Sequence, residues 1–217
     1  IVIIESYKIT SPNMKIAIST LYIILFPIVL YGQAMDSINF KKESFGFNIA
    51  PNVSNIRTDN RLPPNVTLYN GLGFRVGLWA KYQFTNHILI SPEINWSFNG
   101  GGFSFADSAQ DNYQIMPASI DFITHVQIRK PGRKATPYLL IGPNLKIPII
   151  KSRSSAVFET SRDLATNVGI GLDKKFMFFT FSPELRYSVG LLNVNTHPGI
   201  RDIKLHNISM AFNLSLI

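Results

Sequence analysis

This sequence predicts an all-β fold, an eight-stranded antiparallel up-and-down barrel that crosses a membrane, and three observations predict it. From Phe45 onward apolar residues recur with period two, the period of a strand whose two faces meet different surroundings. Charged residues are only 16% of the chain and mean hydropathy is slightly positive, yet no stretch past Tyr31 reaches the roughly 20 apolar residues of a spanning helix. Connections between the expected strands alternate long and short along the chain.

The first element is an export signal. Lys15 precedes IAISTLYIILFPIVLY (16–31), and the small or polar GQA (32–34) follows, so 14–33 reads as a secretory signal peptide starting at Met14, with 1–13 upstream of that start. A membrane anchor is the competing reading, for which this stretch, interrupted by Pro27, is short. Cleavage fits after Gly32 or after Ala34. Without Lys8, Lys15 and Glu5 the exported chain keeps 19 basic and 12 acidic residues. Export removes the need to read that positive balance as nucleic-acid binding. Residues 34–44 then form a periplasmic N-terminal segment, and 45–217 the barrel.

The strands follow in order. A first runs over about 45–55 with less regular alternation. GLGFRVGLWAKY (71–82) places Leu72, Phe74, Val76, Leu78, Ala80 and Tyr82 on one face, with Arg75, Trp79 and Lys81 on the other. ILISPEINWSF (88–98) sets Ile88, Ile90, Ile94, Trp96 and Phe98 opposite Ser91, Glu93 and Asn95. Stretches at 116–129, 137–149 and 163–173 alternate less cleanly. FTFSPELRYSVGL (179–191) opposes Leu185, Tyr187 and Val189 to Glu184, Arg186 and Ser188, and Ile208, Met210, Phe212 and Leu214 mark the last strand. Pro92 and Pro183 each remove a ladder donor and share the context S-P-E; they read as a shared local bulge, with loop residues as the alternative.

Long connections fall at 56–69, 99–113, 150–162 and 192–204, short ones at 83–87, 130–136 and 174–177. Four long loops and three short turns suit an outer-membrane barrel with both termini in the periplasm. In lipid only a helix or a closed barrel satisfies every backbone polar group, which supports the same choice. Tyr82, Phe84, Trp96, Phe98, Tyr138, Phe176 and Tyr187, near strand ends, are candidates for interfacial girdles. GLWAKY and SPEINWS are echoed by GLDKKF and SPELRYS, which suggests a duplicated four-stranded half or chance likeness between strands of similar composition.

With the apolar face on lipid, the mid-strand charges point inward: Arg75, Lys81, Arg129, Lys146 and Arg186 against Glu93, Asp121, Asp173 and Glu184. The interior of an eight-stranded barrel is just wide enough for side chains to fill, and unpaired charges there cost several kcal/mol. The expectation is a plugged salt-bridge core around Arg75, Glu93, Glu184 and Arg186, with Lys81, Asp121 and Asp173 in the same network. A narrow solute path lined by these residues is the alternative.

Other chemistry is sparse. Cys 0 excludes disulfides, thiolate metal sites and cysteine nucleophiles. His87, His125, His197 and His206 show no metal-ligand spacing, and there is no G-x-S-x-G elbow. Asp107 and Asp111 share a long loop, where solvation explains them better than acid/base work. The basic run Arg129, Lys130, Arg133 and Lys134 falls in a short turn, read as solvated or facing an acidic partner or lipid headgroups.

FGFNIAPNVSNIR (45–57), PYLLIGPNLKIPI (137–149) and NVGIGLDKKFMFFTFSPELRYSVGL (167–191) resemble the PorT-type outer-membrane β-barrel proteins, part of a broader porin-like group. The resemblance covers roughly 45–192. It implies an accessory or assembly role in type IX secretion, which carries proteins across the outer membrane of Gram-negative bacteria. Such barrels commonly end in an aromatic residue read by the insertion machinery, whereas Ile217 stands last here; either Phe212 serves or the end is atypical. On this reading the chain is not an enzyme and uses no cofactor or metal. Its partners are outer-membrane lipid and, by the resemblance, other secretion-system proteins, not nucleic acid. A small structural or solute-permeable barrel, and a soluble exported barrel with reversed faces around an apolar ligand, are the alternatives.

Overall fold

A computed structural model of the chain describes residues 41–58, 62, 66–105, 112–130, 135–149, 160–194 and 202–216. The expected signal peptide, Asp107, Asp111, Arg133, Lys134 and His197 lie outside them. The strands are β1 (Lys41–Thr58), β2 (Val66–Tyr69), β3 (Gly71–Gln83), β4 (Ile88–Phe98), β5 (Gly102–Phe105), β6 (Asn112–Gln114), β7 (Ala118–Arg129), β8 (Ala135–Pro148), β9 (Asp163–Lys175), β10 (Phe179–Gly190) and β11 (Ile203–Leu216). Eight of them close into one barrel in the order β1-β11-β10-β9-β8-β7-β4-β3, every neighbour antiparallel, with β1 also pairing β3. Closure leaves no open sheet edge in the wall. β1 begins at Lys41, inside the segment expected to precede the barrel.

Period two now has a physical address. Phe45, Phe47, Ile49, Leu78, Ile94, Ile128, Leu139, Ile170, Leu185 and Ile208 stand exposed on the outside, while Asn48, Asn52, Arg75, Glu93, Asp121, Asn167 and Arg186 are buried within. That is the reverse of a water-soluble protein and excludes the reversed-face ligand barrel. Outward aromatics gather toward both ends: Tyr82, Phe84, Phe176 and Phe179 near the short turns, Phe74, Trp96, Phe98 and Tyr187 near the long loops. Phe176 and Phe179 stack at 4.8 Å, Phe74 and Phe98 at 4.6 Å. Tyr138 departs from the expected girdle, since its phase along β8 turns it into the lumen, where it is buried.

The expected bulge at Pro92 and Pro183 does not form. The β3/β4 register is the same at Trp79↔Glu93 and Tyr82↔Ile90, and the β9/β10 register the same at Lys174↔Phe181 and Gly171↔Glu184; only the pairs beside each proline are missing. Pro51 opposite β11 and Pro143 opposite β7 interrupt their ladders in the same way. A proline ring pointing outward removes one donor but adds no residue to the strand, so nothing shifts.

Two of the long connections carry structure of their own. β2, β5 and β6 form a three-stranded sheet in the order β2-β5-β6. Val66, Phe103 and Tyr113 from it pack with Ile115, Met116 and Val194, and with Ile56, Ile203 and Leu205 at the barrel mouth. Met116 takes a left-handed φ of 48°, and Asn99 Nδ2 donates to its carbonyl at 3.0 Å. An apolar core thus seals the end of the barrel where the long loops gather.

Candidate functional site

The lumen below this seal is charged. Strand parity delivers its side chains in register: Asn95 stands opposite Asp121, Asp121 opposite Lys146, Lys146 opposite Asp163, and Gly169 opposite Arg186. Midway along it, Arg186 places Nη1 and Nη2 at 2.8 Å from the two oxygens of Glu93 and also engages Glu184 through Nε and Nη2. The planar guanidinium suits this two-carboxylate clamp, where an ammonium would not. His125 Nδ1 lies 3.2 Å from Glu93, its Nε2 3.1 Å from Asn167, and Asn95 donates to Glu93 at 3.3 Å. Tyr138 O–H donates to Glu184 across the intervening β9. Gly171 makes that crossing possible: a Cβ there would sit 2.4 Å from the Tyr138 ring.

Toward the short turns, Lys81 bonds Asp173 at 2.7 Å, and Ser182 donates to the same carboxylate. The Lys81 ammonium also lies 5.3 Å from the Trp79 ring and 4.8 Å from that of Tyr138. Trp79 is tied to the wall by a 3.0 Å bond from its indole N–H to the Phe47 carbonyl. Toward the long loops, Arg75 stands 3.8 Å from Asp121, which accepts from Ser97 and Ser119 at 2.7 Å each, and Lys146 stands 3.9 Å from Asp163.

All seven residues of the expected network are therefore buried inside the barrel, but their ion pairs fall into three clusters, two of them joined through Tyr138. Arg75 belongs with Asp121, not with Glu93 and Glu184, because it enters from β3 nearer the long loops. Arg129 is half-buried at the short-turn rim. Sequence reasoning missed His125, Tyr138 and Asp163. Each shares the parity of an inward residue already assigned on its own strand: Asp121, Lys146 and Asp173. His87 is exposed in a turn, and His206 faces outward, 2.9 Å from the Tyr187 hydroxyl. Among the described residues no three His, Asp or Glu side chains gather as a metal site.

A closed eight-stranded wall, apolar outside and ion-paired inside, is the architecture of outer-membrane barrels. The outer membrane protein beta-barrel domain family matches residues 33–195, most of the chain. The chain belongs to this family. Among solved structures, Neisserial surface protein A (NspA) is similar at 12% identity with a TM-score of 0.52, over 82% of this chain and 99% of that one. OprG from Pseudomonas aeruginosa is similar at 11% identity with a TM-score of 0.48, over 83% of this chain and 97% of that one. No curated protein sequence matches the chain. Family and fold together make it an integral β-barrel protein of the outer membrane.

Proposed function

We propose that this outer-membrane barrel is a PorT-type accessory or assembly component of type IX protein secretion, not an enzyme, with its short turns and both termini on the periplasmic side. The observation that carries a non-conducting role is the packed lumen: Arg186 clamped between Glu93 and Glu184, beneath an apolar seal at the long-loop mouth. Such a barrel offers its rims and outer wall to partners and has no room for a polypeptide to pass. The secretion role itself rests on the sequence resemblance over 45–192. Deleting the gene and assaying secreted cargo tests it. Loss of cargo from the medium with an intact outer membrane is expected, and normal secretion rejects the role.

A second reading, a solute-permeable barrel without a secretion role, is favoured by one observation. The side-chain amides of Asn48 and Asn144 are buried in the lumen without protein partners, so water is needed to satisfy them. Planar-bilayer recording separates the readings. We expect no steady channels from the folded protein; steady conductance that changes on Glu93→Gln or Arg186→Met establishes a pore.

A further inference from the structure

The outer wall from β7 to β11 is not evenly filled. A groove of about 860 Å³ runs there among Ile128, Leu139, Ile170, Leu172, Leu185 and Met210. It shares Ile128, Leu139, Ile170 and Leu185 with a second groove of about 650 Å³ that extends past Ile141, Val168 and Ile208. The furrow has a cause in the sequence: Pro137 and Pro183 present short, flat rings where their neighbours present Leu and Ile, and the Pro183 to Leu172 bridge is absent.

At its short-turn end the apolar lining meets Arg129 and Lys130. Lys174 follows Leu172 by two residues on β9, hence on the same outward face, and its register partner Ala135 is small. Lys130 and Lys174 are both exposed. The nearest carboxylates do not compete for them. Asp173 and Glu184 point inward and are held by Lys81 and by Arg186 with Tyr138. A third groove, of about 600 Å³ between Leu78, Ile94, Trp96 and Phe122, has no cation in its lining. Of these grooves on the described wall, the first therefore combines an apolar furrow with a cationic rim and the third does not.

We infer that this wall is a binding site for an anionic glycerophospholipid, with one acyl chain in the furrow and the phosphate at Lys130 and Lys174. The site depends on the membrane-barrel fold and not on the secretion role. Full-length protein extracted from vesicles of equal phosphatidylglycerol and phosphatidylcholine is examined by native mass spectrometry. Preferential retention of phosphatidylglycerol is expected, falling about fivefold for each lysine changed in Lys130→Gln and Lys174→Gln. Leu139→Trp, which fills the furrow, should reduce retention of both lipids, whereas Ile94→Trp in the groove without a cation should leave it unchanged. Equal retention of the two lipids by the unaltered protein overturns the site, and that comparison needs no variant to fold. Undiminished preference in the double glutamine variant, or equal competition by inorganic phosphate, overturns it as well.

Discussion

Arg186 is the residue on which the interior is balanced. Its guanidinium separates Glu93 from Glu184, and all three side chains are buried. Removing one member of a buried ionic cluster leaves uncompensated charge, at a cost of about 3–5 kcal/mol, while removing all members together is close to neutral. Arg186→Met should therefore lower the unfolding free energy of the reconstituted barrel, measured in urea, by that amount. The triple variant Arg186→Met, Glu93→Gln, Glu184→Gln should regain most of it, and a triple variant no more stable than the single one rejects the clamp. Tyr138 and Gly171 give a second test. Gly171→Ala should cost about 1–3 kcal/mol by driving the ring off its bed. Most of that cost should vanish in a Tyr138→Ala background, and a cost that persists there shows that the crossing ring is not the reason for the glycine. The residues missed in the sequence bear on how such a site is read. Tyr138 looked like a girdle residue because it is aromatic and near a strand end. Parity with Lys146 decides its direction, and on a two-sided strand parity outranks residue type. What parity cannot supply is the partner. Arg75 and Arg186 point into the same lumen, and only the stagger of the closed barrel gives one to Asp121 and the other to Glu93.

At the scale of elements, the wall was legible because its strands run for 11 to 18 residues, long enough for alternation to register several times. The seal was not. β2, β5 and β6 have four, four and three residues, too few for a period to show against ordinary loop composition. The proline motif was half seen. S-P-E at 91–93 and 182–184 stood out as an echo, but A-P-N at 50–52 and G-P-N at 142–144 interrupt their ladders in the same way, and the four affected seams alternate around the barrel. This repetition every second strand is a shorter period than a duplicated half. It shows a wall that tolerates one interrupted pairing per hairpin because the rest of each ladder holds the register. The seal and the wall also have separate sources of stability, one an apolar cluster and the other closed pairing with internal charge. Phe103 is fully buried in the former and belongs to no barrel strand. Phe103→Ala should remove about 3–5 kcal/mol from the small sheet alone. New protease cleavage between β2 and β6 is expected, with the heat-dependent gel shift of the barrel retained. Loss of both together shows that the seal is part of the barrel's cooperative unit.

For the whole molecule the decisive property is which face meets which solvent. Low charge content and the absence of a helical span are two results of one arrangement, in which apolar residues occupy alternate positions on the outside and the charges that break every apolar run sit inside. The arrangement has a depth dependence that a water-soluble barrel lacks, because the penalty for an outward charge follows the dielectric profile of the bilayer. Ile141 lies midway along β8 and is half exposed; Leu216 ends β11 and is largely exposed. Solvent accessibility alone ranks Leu216 as the more tolerant position by a small margin. In a bilayer the difference widens: Ile141→Arg should cost about 2–4 kcal/mol at the midplane, and Leu216→Arg about 0–1 kcal/mol near the interface. Urea unfolding from lipid vesicles measures both. Equal and negligible costs would mean that the exposed apolar band is not in contact with hydrocarbon. A graded cost that disappears when the same variants are refolded in short-chain detergent would assign it to the bilayer and not to strand propensity, since arginine's effect on the ladder is the same in either medium.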